Sequence, residues 1–140
     1  AAVEYYNSPA GSYWSDLRSP HGSAEGFGIS LWGSANEMDG PCQAGHVPAH
    51  EYAMRARQTG ALMKGQDPTI ELVVCGLPRN QLPTYMEWDQ VVLEECWNIA
   101  DFVSAHRYSR NDQDDSVWFL AEGLVIDRIL DDYRALLGYV

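Results

Sequence analysis

Asn36 and Glu37 are the residues of this sequence whose types and order most readily suggest chemistry. They follow an apolar run at residues 28–32, and a Gly40-Pro41 turn comes soon after them. In parallel α/β proteins the working residues lie at the carboxyl ends of strands, on loops that face a common mouth. There an amide can hold a sugar hydroxyl while the neighbouring carboxylic acid protonates a departing oxygen, as glycoside cleavage requires. The alternative interpretation is a solvated loop acid or a helix cap, and the dipeptide alone does not separate the two.

A second pair of polar side chains, His106 and Tyr108, follows another apolar run. The two residues occupy alternate positions, so they face the same side if the extended conformation continues that far. Polar aromatic side chains at such a place suit a sugar site. The alternative is a core histidine with a tyrosine packed beneath a loop. Cys75, at the end of a third run, is interpreted as a small buried apolar residue because no neighbour in sequence would lower the pKa of its thiol.

Two patterns resemble metal sites but depart from the known ligand spacings. His46 and His50 are four residues apart, yet a proline lies between them and they do not form an H-E-x-x-H motif. The cluster of Asp112, Asp114 and Asp115 lacks the glycine and the terminal glutamate of an EF-hand loop. Acidic residues are also favoured beside a helix N-terminus. We therefore expect no metal or other cofactor, and a helix that starts at the aspartates.

The elements that must position these residues are three short apolar runs, each followed by a loop and a helical pattern. Their nearly continuous apolar character is typical of parallel strands covered on both faces. The predicted strands lie at residues 28–32, 70–76 and 100–106.

The helical patterns are less regular than the strand patterns. The spacing predicts a helix over residues 49–64 and another from about residue 116 that carries a single apolar stripe. Between them, Thr84 and Glu87 have the spacing of a capping box at the start of a further helix. Residues 7–26 are rich in Gly, Ser and Pro, and we expect a loop there.

The spacing of the predicted strands indicates the architecture. Ile29 and Ile70 lie 41 residues apart, and Ile70 and Phe102 lie 32 apart. A βα unit of an eight-stranded barrel takes about 31 residues. This predicts an α/β protein that forms part of a (β/α)8 TIM barrel, since the whole chain holds only about four and a half such units. A small open doubly wound sheet is the alternative, and periodicity alone does not separate the two.

The composition excludes some classes of partner. The 140 residues carry a net charge of −11 and only nine Lys and Arg residues, which argues against binding to nucleic acid. No apolar run approaches the roughly 20 residues of a membrane span, so we expect no membrane insertion. Three cysteines without a C-x-x-C pair indicate free thiols in a reducing compartment.

Four motifs in order carry a resemblance to a known family. The motif "ANEMDGP" is preceded by "YNSPAGSYWSDLR" and followed by "DPTIELVVCG" and "FVSAHRY". Together they resemble the central segment of the family 51 glycoside hydrolases, the intracellular α-L-arabinofuranosidases. The likeness extends from Val3 to about Asp132. Ala35 and Cys42 depart from it, since the family usually has Gly and Trp at these positions.

The resemblance implies a catalytic (β/α)8 barrel, of which residues 1–140 would supply about strands four to six with their helices. It implies retaining hydrolysis of terminal non-reducing α-L-arabinofuranosides in arabinan, arabinoxylan and related oligosaccharides. Glu37 matches the general acid/base, and Asn36 matches the amide that binds the sugar 2-hydroxyl. Tyr108 matches a tyrosine that lines the arabinose pocket, and His106 matches a neighbouring histidine. A cytoplasmic homo-oligomer is also implied.

Length is the largest departure from the family pattern. Retaining hydrolysis needs a second carboxylate about 5–5.5 Å from the first, and in the family this nucleophile ends the seventh strand, beyond Val140. We therefore expect that the 140-residue chain is a partial barrel domain, without the first and last barrel units, and that it is inactive alone. The alternative is a non-catalytic carbohydrate-binding or interaction fragment. A flavodoxin-like domain is the weakest hypothesis, because no G-x-G-x-x-G follows the first strand.

Overall fold

Three short strands lie side by side and point in the same direction at the centre of the computed structural model, which describes residues 1–77 and 79–140. They are β1 (Leu31–Gly33), β2 (Glu71–Val74) and β3 (Phe102–Val103). Both pairings are parallel and the order is β1-β2-β3, with Trp32 opposite Leu72 and Val74 opposite Val103. The predicted parallel sheet is therefore confirmed, although each strand is shorter than its apolar run.

Two helices cover one face of the sheet. They are α3 (Ala49–Gln66), which begins at the predicted residue, and α4 (Glu87–Cys96). The core between them contains Val74 of β2 and the rings of Tyr52 and Trp88, which stack with centroids 5.5 Å apart. The Tyr52 hydroxyl oxygen accepts a 2.7 Å hydrogen bond from the backbone N–H of Cys75, and burial raises the pKa of Tyr52 to about 12. The core thus fixes the backbone at the end of β2.

The N-terminal region is helical where the sequence predicted a loop. Helix α1 (Ala2–Asn7) is followed by α2 (Tyr13–Arg18) and a 3-10 turn at Ser19–His21, so the prediction of a loop over residues 7–26 is wrong in part. A capping box between Ser12 and Ser15 starts α2. At its end the fully buried Arg18 guanidinium donates hydrogen bonds to the backbone oxygens of Tyr5, Ser8 and Ala24.

The start of α4 also differs from the prediction. Its N-cap is Met86, with a φ of 63°, and no side chain caps it. The predicted capping box is wrong because the Thr84 hydroxyl donates instead to Asp39 Oδ2, at 2.5 Å. This bond ties the loop after β1 to the segment before α4.

The C-terminal helical pattern forms two helices, α5 (Ser116–Ala121) and α6 (Leu124–Tyr139). The predicted start is confirmed, since Asp115 Oδ1 accepts hydrogen bonds of 3.0 Å from the N–H groups of Val117 and Trp118. The apolar stripe of α6 buries Ile129 and Tyr133 and leaves Ile126, Leu130 and Leu137 exposed.

The two outer edges of the sheet are open within the described residues. No strand there pairs with the outer side of β1 or β3, and Leu31 and Phe102 are each more than half exposed. Parallel sheets normally have both edges and faces covered. In residues 1–77 and 79–140, no helix combines the length and the apolar character needed to cross a bilayer.

Candidate active site

Glu37 lies in the loop after β1, where two successive turns reverse the chain. The N–H of Gly40 donates to Glu37 O at 2.8 Å, and the N–H of Gln43 donates to Gly40 O at 2.9 Å. A Cβ at residue 40 would sit 3.0 Å from Glu37 O, so the turn favours glycine. Glu37 itself has a φ of 50°, a left-handed conformation that costs a non-glycine residue roughly 1–2 kcal/mol. Its side chain is directed inward, and the residue is only 9% exposed.

Three side chains hydrogen-bond the Glu37 carboxylate. The Tyr108 hydroxyl donates to Oε1 at 2.5 Å, and His106 Nδ1 lies 2.8 Å from the same oxygen as the second donor. Gln43 Nε2 donates to Oε2 at 3.2 Å. The structure therefore brings together the residues that follow β1 and β3, as expected for the carboxyl ends of parallel strands.

These contacts change the acidity of the site. The hydrogen bond from Tyr108 is the main reason that the pKa of Glu37 is lowered; burial opposes it, and His106 and Gln43 lower the pKa further. Reciprocally, donation to the carboxylate raises the pKa of Tyr108. In this chain the arrangement stabilises Glu37 as an anion.

Asn36 is placed differently from the other predicted site residues. It is exposed, and its side chain makes no hydrogen bond to any residue that the structure describes. It adjoins Glu37 in the chain but takes no part in the network around the carboxylate. An exposed amide beside a cleft has its donors and acceptor available to a ligand.

A buried network missed by the sequence analysis holds the segment that carries His106. The backbone N–H of His106 donates to Leu77 O at 3.3 Å, and the N–H of Leu77 donates to Asp89 Oδ1 at 3.0 Å. The Tyr133 hydroxyl donates to the same Asp89 oxygen at 2.6 Å. Asp89 is fully buried, and burial raises the pKa of its carboxyl. The sequence does contain a signal for this network, because Asp89 is an acid on the apolar face of α4, between Trp88 and Val92.

A cleft of about 520 Å³ opens beside the carboxylate, within the size range of small-molecule sites. Its lining includes Glu37, Tyr108 and Trp118 of α5. Arg107 lines it too and forms an ion pair with Glu122. Its polar and aromatic lining suits a hydroxyl-rich ligand. Across the described part of the chain, no group of three or more His, Cys, Asp or Glu residues could hold a metal ion.

The cysteines show no sign of a catalytic thiol. Cys75 is 1% exposed, and burial raises the pKa of its thiol, which confirms its interpretation as a buried apolar residue. Cys96 is also buried, and Cys42 is exposed. All three are free thiols.

No protein-family model matches the chain, but individual relatives do. The intracellular exo-α-(1→5)-L-arabinofuranosidase 1 of Bacillus subtilis is 43% identical over 138 residues, which cover 99% of this chain and 28% of that protein. The exo-α-(1→6)-L-arabinofuranosidase of Bifidobacterium longum is 38% identical, over 95% of this chain and 26% of that protein.

Solved structures agree with the sequence relatives. A family 51 α-L-arabinofuranosidase from Bifidobacterium longum superposes with a TM-score of 0.88 at 31% identity, over 98% of this chain and 29% of that one. The resemblance to family 51 is confirmed. An α-L-arabinofuranosidase from Thermotoga maritima, in an arabinose complex, gives 0.73 at 33% identity, over 93% of this chain and 27% of that one.

The match to family 51 also decides the architecture. The chain spans less than a third of the length of these relatives. Its parallel sheet and covering helices are a segment of the (β/α)8 barrel of family 51, as predicted, and the doubly wound alternative is excluded. The exposed edges of β1 and β3 are the places where a barrel continues to its neighbouring strands.

Proposed function

We propose that this chain is the acid/base-bearing segment of a retaining α-L-arabinofuranosidase. Its activity would be the release of terminal non-reducing L-arabinofuranose from arabinan, arabinoxylan and related oligosaccharides. The observation that carries the proposal is the convergence of Glu37, His106 and Tyr108 at the carboxyl ends of β1 and β3, beside the cleft. The names of the arabinofuranosidase relatives support the substrate class.

Each site residue has a distinct role in this proposal. Glu37 protonates the bridging oxygen and then activates water. Asn36, exposed beside it, binds the sugar 2-hydroxyl. His106 and Tyr108 line the arabinose position and orient the Glu37 carboxylate through Oε1.

The pKa that Glu37 needs as a general acid depends, in this proposal, on the nucleophilic carboxylate. A general acid works best with a pKa near the operating pH, whereas three donors lower the pKa of Glu37 here. A nucleophilic carboxylate about 5–5.5 Å away would repel the Glu37 anion and raise its pKa. We place that nucleophile outside these 140 residues, so the raised pKa needed for acid catalysis depends on a group that the chain does not contain.

The proposal also covers the domain, the cellular location and the assembly of the whole protein. Residues 1–140 form a partial catalytic domain in this proposal, and the complete barrel needs further βα units. The protein acts inside the cell, as several relatives named intracellular do, and it assembles as a homo-oligomer without a cofactor.

A second candidate is a non-catalytic carbohydrate-binding fragment. It is favoured by the lowered pKa of Glu37, because an anionic carboxylate is a hydrogen-bond acceptor for sugar hydroxyls but not an acid. The two hypotheses agree on the sugar and differ on the chemistry.

A segment exchange separates the two candidates. This chain would replace the matching segment of the Bacillus subtilis relative, and hydrolysis of an arabino-oligosaccharide would be measured. The catalytic proposal predicts an active chimera in which Glu37→Gln lowers kcat by about 100-fold or more while binding is largely kept. Glu25→Gln, at an exposed position, is the control. A folded chimera that binds the oligosaccharide but does not cleave it would favour the binding fragment.

A further inference from the structure

The cleft beside Glu37 does not end at the arabinose position. Its lining also includes Trp118, on the first turn of α5, together with Asp112 and Arg110. Trp118 is 45% exposed and is the only tryptophan that lines this cleft among the described residues. No other aromatic ring in residues 1–77 and 79–140 stacks on it. An apolar ring is therefore open to a ligand within a polar cleft.

The backbone of Trp118 is well held despite this exposure. Its N–H donates to Asp115 Oδ1 at 3.0 Å, and its carbonyl accepts from the N–H of Glu122 at 3.1 Å. Glu122 in turn is paired with Arg107, the residue directly before the site tyrosine Tyr108, and both charged side chains are mostly buried. The ring is thus carried on a segment fixed at both ends, which limits the ordering entropy that a ligand must overcome.

The cleft also concentrates hydrogen-bond donors. Besides Arg107, which is engaged with Glu122, two of the nine Lys and Arg residues of this acidic chain line it, namely Arg79 and Arg110. Guanidinium groups donate to several oxygens in a fixed geometry. A sugar ring presents an apolar C–H face and a rim of hydroxyls, so it matches an aromatic surface surrounded by such donors.

We propose that Trp118 is the platform for the sugar unit on the leaving-group side of the scissile bond. This inference rests on the proposed function, because it takes the terminal arabinose to lie against Glu37, His106 and Tyr108. Glu37 protonates the oxygen that joins this arabinose to the next sugar, so the next sugar must extend past Glu37 along the cleft. Trp118 then selects for oligosaccharides over free arabinose.

The test is a binding experiment on the segment-exchange chimera described above, kept inactive by Glu37→Gln and otherwise carrying the unsubstituted chain, by ¹H–¹⁵N NMR titration with L-arabinose and with α-1,5-arabinotriose. The unsubstituted chain should bind the trisaccharide about tenfold more tightly than the monosaccharide, the gain expected for one aromatic contact. Trp118→Ala should abolish that gain and leave arabinose affinity unchanged, and Trp118→Phe should restore part of it. The Trp118 indole N–H resonance should shift with the trisaccharide but not with arabinose.

Trp97→Ala is the matched control, since Trp97 is 52% exposed and lies outside this cleft. Its affinities for both sugars should equal those of the unsubstituted chain. If arabinose binds and Trp118→Ala leaves trisaccharide affinity unchanged, the platform is refuted while the proposed function stands. If neither sugar binds the folded chimera with Trp118 in place, both this inference and the sugar site at Glu37 are contradicted.

Discussion

Tyr108 donates a 2.5 Å hydrogen bond to Glu37, although 71 residues separate the two in the chain. The contact joins the loop after β1 to the segment after β3, and two strands (β2 and β3) and two helices lie between the two residues in sequence. It is possible because parallel strands end at the same edge of the sheet. The acidity of the central carboxylate therefore depends on the relative placement of two distant loops.

The first prediction concerns this hydrogen bond. In Tyr108→Phe the pKa of Glu37 should rise, because the main cause of its lowering is removed. The measurement is a ¹³C NMR titration of the Glu37 carboxyl carbon. A lowered folded-state pKa contributes stability above the unfolded-state pKa, and this contribution is lost as the pH falls through the folded-state value. The unfolding free energies of the two chains should therefore converge in acid.

Tyr139→Phe is the control for this experiment, because Tyr139 is 74% exposed and lies away from the cleft. It should leave the titration of Glu37 unchanged. An unaltered Glu37 pKa in Tyr108→Phe would mean that the two side chains are not bonded in solution.

The second prediction concerns the buried carboxyl of Asp89. Asp89→Ala leaves the Leu77 N–H and the Tyr133 hydroxyl without their acceptor, so it should lower the free energy of unfolding by about 1–3 kcal/mol. Urea unfolding is the measurement. Asp131→Ala removes a carboxylate on the exposed face of α6, and we expect a change within about 0.5 kcal/mol. An equally small effect at Asp89 would contradict the network.

The same site gives a pH dependence of opposite sign to that of Glu37. Burial raises the pKa of Asp89 in the folded state, so the folded chain holds a proton that the unfolded chain has already lost. Relative to Asp89→Asn, the unsubstituted chain should lose stability as the pH rises from the unfolded-state pKa of Asp89 towards its folded-state pKa. A stability difference between the two chains that is independent of pH would show that Asp89 titrates normally.

The third prediction tests the close approach of β2 and β3. A Cβ at Gly76 would lie 2.1 Å from Ser104 O and 2.8 Å from Asp89 Oδ1. Gly76→Ala should therefore destabilise the chain by about 3 kcal/mol or more, which thermal unfolding would detect. Gly65→Ala is the matched control, since a Cβ there meets nothing within 4 Å. Alanine has a higher helix propensity than glycine, so this substitution in α3 should stabilise the chain by up to about 1 kcal/mol. Similar melting temperatures for the two variants would refute the clash.

The fourth prediction is that the 140-residue chain does not hydrolyse p-nitrophenyl α-L-arabinofuranoside, because we place the nucleophile elsewhere. The Bacillus subtilis relative serves as the positive control under the same conditions. Release of p-nitrophenol by the pure chain, abolished by Glu37→Gln, would overturn the assignment of a partial site.

Much of the fold could be predicted because its signals are local. The three apolar runs predicted the parallel sheet, and the pattern over residues 49–64 predicted α3 to within two residues at its end. The helix α2 was missed because the Ser, Gly and Pro residues around it are typical of loops, although Ser12 and Ser15 have the spacing of a cap. The capping box at Thr84 failed because Asp39, distant in sequence, binds the same hydroxyl.

The site was predictable only in part for the same reason. Glu37, His106 and Tyr108 were predicted as site residues from their positions at strand ends and from the family resemblance, and the structure brings the latter two into contact with Glu37. Gln43 was missed because only the two turns after Glu37 bring its amide back to the carboxylate. Asp89 was missed because its partners lie on other elements, so the sequence pattern of α4 does not reveal them.

The left-handed backbone at Glu37 carries a conformational cost for the side chain that the proposed chemistry requires. Glycine or asparagine would adopt a φ of 50° at lower cost than glutamate. In a library randomised at residue 37 and selected for solubility alone, this backbone advantage would be opposed by the loss of the carboxylate that accepts hydrogen bonds from Tyr108, His106 and Gln43. The outcome of such a selection would report the balance of these two opposing terms, and it would carry no information about turnover, which depends on this residue in the proposal.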